Sequence, residues 1–189
     1  MSSSEGERVV FQDSFDGGLD ADWTWLREHP EYWRLQDGGL EIRVEPGVAD
    51  TVRNALLRPA PRRDEGSFAI EVTVTNQTIP TVQYEQGGIT WYCDGKPVFK
   101  EVKELIDGAL FIIPGRSAMA ARSVRLRLIV TADSWEAQFR PEGESAFQTS
   151  ERGELPAPAD DQVSIQCYNG PPDEEHWIRF EDFIVRMLS

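Results

Sequence analysis

The chain has 189 residues, 33 of them Asp or Glu against 19 Lys or Arg, a formal charge of −14 with 40% apolar residues. That length suits one large all-β domain able to bury a core without disulfides or metals. So acidic a composition argues against nucleic acid and against anionic membrane surfaces, both of which need a cationic footprint.

The chain opens with MSSSEGERVVFQDSF, which lacks the apolar core of a signal peptide. No stretch reaches the roughly 18 apolar residues of a membrane span. We therefore expect a cytoplasmic protein, with residues 1–8 a flexible tail and residues 9–189 a single domain. Period-two patterns then recur almost to the end. LEIRV places Leu40, Ile42 and Val44 on one face, and FAIEVTV does the same with Phe68, Ile70, Val72 and Val74. VRLRLIV sets Val124, Leu126, Leu128 and Val130 opposite Arg125 and Arg127; WEAQF and VSIQC repeat the theme. Such alternation means strands buried on one side. Turn signals such as QDGG, NQTIP, CDGKP, RPEGE and YNGPP separate them. Many short strands with polar turns read as a sandwich or barrel. The linker-like stretch RGELPAPADDQ reads as a surface loop, because strand patterns resume at once after it. The segments FQDSF and FEDFIVRM read as terminal strands that lie side by side.

Cys93 and Cys167 each sit in an alternating apolar pattern and read as buried thiols. His29 and His176 stand far apart without companion ligands, so no metal set and no cofactor is expected. Trp23, Trp25 and Trp33 read as core and rim packing.

Five segments in order carry a resemblance: FQDSFDGGLDADWTWLREHPEYWRLQDGGLEIRV, DTVRNALLR, YEQGGITWY, VFKEVKELIDG and FEDFIV. Together they resemble a domain of unknown function with a concanavalin A-like lectin/glucanase fold, related to the yeast regulator-of-enolase protein. The C-terminal modules of family 43 β-xylosidases are similar. Tyr84, Glu85, Gln86, Gly87 and Gly88 fit one motif of that family; Lys100, Glu104, Asp107 and Gly108 fit another. Glu101 and Lys103 depart from it, because small or apolar residues are usual there. The resemblance implies an all-β jelly roll of two curved antiparallel sheets and implies no activity. It also makes Asp13 and Asp182, on the two terminal strands, the place where a structural cation would be sought, although six or more oxygens would be needed.

The stretch YEQGGITWYCDGKPVFKEVKELIDG raises the functional question. Alternation puts Tyr84, Gln86, Gly88, Thr90 and Tyr92 on one face, with Ile89, Trp91 and Cys93 in the core. On the next strand Val98, Lys100, Val102 and Glu104 share a face. If the two faces adjoin, an amide, phenols, an ammonium and a carboxylate stand together on a concave sheet. Planar hydrogen-bonding groups read sugar hydroxyls, and aromatic faces cover the C–H surface of a sugar ring. Tyr84, Gln86, Tyr92, Lys100 and Glu104 are thus candidate ligand-binding residues, with Arg53 or Asn54 at the rim. The alternative is structural: a surface ion pair and a bulge at the paired glycines.

A glycosidase needs two carboxylates flanking the scissile bond. Glucanases with this fold carry acid-x-acid-x-x-acid on one strand, whereas Glu101, Glu104, Asp107 and the run from Asp173 to His176 have other spacings. The expectation is a non-catalytic module that binds a carbohydrate or polyol. The alternatives are a regulatory or scaffolding protein contacting an enzyme of sugar metabolism, and a weak hydrolase with an unrecognised carboxylate pair, for which Glu85 and Glu104 could converge from adjacent strands only against their opposite parity. The loops RGELPAPADDQ and YNGPPDEEHW are the candidates for covering the face.

Overall fold

The structure, a computed structural model, describes residues 6–189. Two antiparallel sheets carry just over half of them. Numbering strands along the chain, one sheet runs β13 (Gln148–Glu154), β12 (Ser134–Pro141), β11 (Ser123–Val130), β6 (Phe68–Asn76), β15 (Trp177–Leu188), β4 (Gly39–Arg43) and β3 (Trp33–Gln36). Strand β1 (Glu7–Asp13) pairs with the second half of β15, so the chain's two terminal strands lie together as their sequences suggest. The other sheet runs β10 (Ser117–Ala118), β9 (Ala109–Ile113), β8 (Lys96–Ile106), β7 (Gln86–Cys93), β14 (Gln162–Tyr168), β5 (Ala55–Pro59) and β2 (Thr24–Leu26). The chain is a concanavalin A-like β-sandwich, with two single-turn 3₁₀ segments at Pro30–Tyr32 and Arg63–Glu65. The segment EVKELI lies inside β8.

The alternating apolar sets become the inter-sheet core. Leu40, Ile42, Ile70, Val72 and Leu128 are fully buried, facing Ile89, Trp91, Val163 and Ile165 of the other sheet. The opposite parity of β11 reaches the outer surface, where Arg125 pairs with Glu71 at 3.1 Å. Of the expected tail, residues 1–5 lie outside the described residues, and Glu7 and Arg8 already pair with Leu188 and Met187.

Several sequence motifs resolve into clips that hold chain crossings. Asp13 accepts hydrogen bonds from the amides of Phe15 (2.8 Å) and Asp20 (3.2 Å) and from Trp23 Nε1 (2.8 Å). Asp182, its supposed companion, has an exposed side chain 3.8 Å from Arg125. Buried Arg63 donates to Asp161, to the Ala132 carbonyl and to the Pro156 carbonyl, fastening the linker-like loop to the sandwich. Cys93 donates to the other oxygen of Asp161 at 3.1 Å, and burial followed by that bond pushes its thiol up to about 11. Both cysteines are free and buried. Among the described residues no helix is long and apolar enough to cross a membrane.

Candidate functional site

The outer face of β7 and β8 is assembled by register. Gln86 pairs with Glu104 and Thr90 with Lys100, so the two polar faces do adjoin. The paired glycines make this possible by backbone proximity. A Cβ on Gly88 would stand 2.3 Å from the Glu101 carbonyl oxygen, and one on Gly87 would stand 2.6 Å from Ile178 of the opposite sheet. Gly88 needs to be glycine for this close backbone approach, whereas at Gly87 the nearest atom is the movable end of the Ile178 side chain. The ladder's irregularity lies instead between Trp91 and Tyr92.

Lys100 Nζ donates to Gln86 Oε1 (2.5 Å) and Glu104 Oε2 (3.2 Å). Gln86 Nε2 donates in turn to Glu104 Oε1 at 3.2 Å and to the Tyr84 carbonyl at 2.9 Å. These three side chains form a closed ring of hydrogen bonds, with Glu104 6% and Gln86 3% exposed and the Lys100 side chain 31% exposed. Strand β14 extends the face. Tyr92 Oη (2.9 Å) and Ser164 Oγ (2.7 Å) both donate to Gln166 Oε1. Burial raises the Tyr92 phenol, which stays neutral and donating. Two polar atoms in this layer are buried without a partner: Thr90 Oγ1 and Gln166 Nε2.

Neither loop suggested by the sequence covers this face. Residues 45–54 do. Val52 and Ala49 pack on Leu57, Tyr92 and Tyr168 in a small second apolar cluster. Asn54 anchors this segment. Its φ of +54° is a left-handed conformation that asparagine tolerates, and its amide brackets His29, accepting from the His29 N–H (2.6 Å) and donating to its carbonyl (3.1 Å). Arg27 adds a hydrogen bond to the Val52 carbonyl. Arg53 is exposed and faces Glu45 at 3.7 Å. Arg53 and Asn54 are therefore not part of the Gln86–Lys100–Glu104 cluster. Tyr84, with φ +66°, precedes the strand and leaves its alternation; it is half exposed, and its carbonyl supports Gln86.

Beside the covering segment a cleft of about 320 Å³ stays open, lined by Asp50, Thr90, Val98, Phe99, Lys100 and Tyr168 among others. Lys100 stands 6.0 Å from the centre of the Tyr168 ring. An ammonium, a hydroxyl and an aromatic ring thus meet over an apolar wall, while Gln86 and Glu104 orient the ammonium from behind. Sequence reasoning placed Thr90 on this face without making it a candidate, and missed Ser164, Gln166 and Tyr168. The parity argument applied to VSIQCY would have found these three, since they alternate with buried Val163, Ile165 and Cys167.

Glu85 and Glu104 do not converge. Glu85, 1% exposed, accepts from the amides of Thr81 and Val82 and lies 2.7 Å from His176 Nδ1, tying two loops together. Among the described residues no three His, Cys, Asp or Glu side chains gather as a metal set.

Neither family models nor curated proteins matched this chain. Solved structures do. The GH43 BlXynB protein from Bacillus licheniformis superposes with a TM-score of 0.77 at 16% identity over 94% of this chain. The present chain spans 39% of that protein's length. A functionally unknown protein from Saccharomyces cerevisiae matches with a TM-score of 0.58 at 14% identity, over 89% of this chain and 98% of the other. A structure from work on endo-acting O-glycanases of the human gut microbiota matches with a TM-score of 0.62 at 13% identity, over 96% of this chain and all of the other. At these identities the likeness establishes the fold, the β-sandwich expected from the sequence resemblance.

Proposed function

We propose that the cleft beside Lys100 binds a small carbohydrate or polyol and performs no chemistry on it. The observation that carries this reading is Thr90 Oγ1: a hydroxyl buried without a partner on the cleft wall, opposite Lys100 in register. A ligand hydroxyl can both donate to and accept from such a group, while Lys100 offers an ammonium proton and Tyr168 an apolar ring face. The covering segment limits the site to about 320 Å³, a volume suited to one or two sugar rings. Glu104 supports this reading as a positioning group, since both its oxygens are held by Gln86 and Lys100.

The resemblance to domains within carbohydrate-active proteins agrees with this ligand class. A thermal-shift screen of mono- and oligosaccharides and sugar phosphates tests it, with Lys100→Ala beside the wild type. Binding to the native state raises the melting temperature by mass action. A shift confined to the wild type supports the site. No shift for any ligand contradicts it and favours contact with another protein.

A further inference from the structure

A second cavity, of about 310 Å³, opens at the edge of the sandwich, where β1 and the end of β15 face the chain leaving β5. Arg58 lies in its wall. The parity of β5 turns this arginine inward beside Leu56, and it is 8% exposed. Its guanidinium carbon sits 3.1 Å over the centre of the Phe11 ring and 5.4 Å from that of Trp23. Nη2 stands 3.7 Å from Asp22, and Nη1 is buried with no hydrogen-bond partner.

A buried guanidinium nitrogen without an acceptor is costly, more so than a neutral group. The rest of the wall does not relieve it. Val10, Phe11 and Met187 are apolar, and Pro59 and Pro61 lack an N–H, so an acceptor entering here finds its donor on Arg58. Exposed Arg8 adds a second positive charge at the cavity, while Glu65 is drawn off by Arg62 at 3.5 Å.

We propose that this cavity is a second binding site, for a small monocarboxylate with an apolar body. The carboxylate takes the free Nη1 of Arg58, and the body rests against Phe11, Pro59 and Met187. A monoanion fits better than a phosphate dianion, because Asp22 already neutralises part of the guanidinium and the chain as a whole carries −14.

The test uses benzoate as probe and benzamide as its neutral isostere, at matched ionic strength, followed by amide chemical shifts in the whole chain. Saturable benzoate binding is expected at Val10, Phe11 and Ala60, with benzamide at least about tenfold weaker. Val10→Trp, a substitution at a 40% exposed position lining the cavity, should block benzoate while leaving the melting temperature near that of the wild type. Arg58→Met should lose benzoate as well; if that variant does not fold, Val10→Trp and the benzamide comparison still decide. Equal binding of benzamide, binding that survives Val10→Trp, or no saturable shift with benzoate would each overturn the proposal.

Discussion

Strand β8 carries the same two residue types twice, and the two pairs meet opposite fates. Lys100 and Glu104 point outward, where Gln86 closes a ring of hydrogen bonds with them. Glu101 and Lys103 point inward, in register with Ile89 and Gly87. Lys103 Nζ finds the Ala121 and Arg122 carbonyls at 2.5 and 2.9 Å. Neither oxygen of Glu101 makes a well-formed hydrogen bond, although the backbone N–H groups of Arg127 and Gln138 face it, and the residue is 0% exposed. Burial therefore holds the Glu101 carboxyl well above the usual carboxylate range and lowers the Lys103 ammonium to about 8. Strand parity sets which residues are turned inward, and the partners found there decide the cost: Lys103 has two acceptors, whereas neither Glu101 oxygen has a well-formed hydrogen bond.

The largest expected effect follows from removing the costly member. Glu101→Met should stabilise the fold by about 2 kcal/mol at pH 8, since an unpartnered buried acid is replaced by an apolar chain of similar length. Glu101 has a folded pKa above its ordinary value of 4.5, so its contribution is fully present below pH 4.5 and is lost as pH rises through the folded value. Urea titrations should thus show the gain from Glu101→Met shrinking toward pH 4; a pH-independent gain would mean the carboxyl is solvated after all.

Lys103 has the opposite sign. Its folded pKa is depressed from 10.5 to about 8, so stability from this group is present above pH 10.5 and is lost as pH falls through 8. The wild type should gain stability between pH 8 and 10.5 relative to Lys103→Met, measured by denaturant midpoint.

Effects on the outer face should be smaller. Tyr92→Phe removes one buried hydrogen bond to Gln166 and should cost about 1 kcal/mol. Lys100→Ala should cost under about 1 kcal/mol, as expected of a partly exposed ion pair, while abolishing any sugar-induced thermal shift. A larger loss of stability would make Lys100 a structural residue first.

Much of this was legible in the chain. The alternation at Leu40–Val44 and Val124–Val130 follows from period-two burial, and the terminal strands, read as neighbours because both ends of a closed sandwich look like strands, do pair. The adjacency of Gln86 with Glu104 follows from parity once β7 and β8 are neighbours. The cover over the face was not legible. Residues 45–54 hold their place through Asn54, His29 and Arg27, contacts spanning some 25 residues that no local pattern announces. The departure of Glu101 and Lys103 from the family pattern was visible, but parity places Glu101 inward, a position an unpartnered charge would not be expected to occupy. Its neighbour in parity, Lys103, is partnered: it reaches the Ala121 carbonyl and the Arg122 carbonyl, the latter shared with the Asn76 N–H.

The cleft beside Lys100 is tested most directly by calorimetric titration of the best-shifting sugar into the wild type and Thr90→Val. The substitution keeps the shape and removes the unpartnered Oγ1. The predicted result is a free protein at least as stable as the wild type, because a buried unsatisfied hydroxyl is gone, combined with sugar affinity at least about tenfold lower. Equal affinity in the two proteins would contradict a sugar site at Thr90 and Lys100.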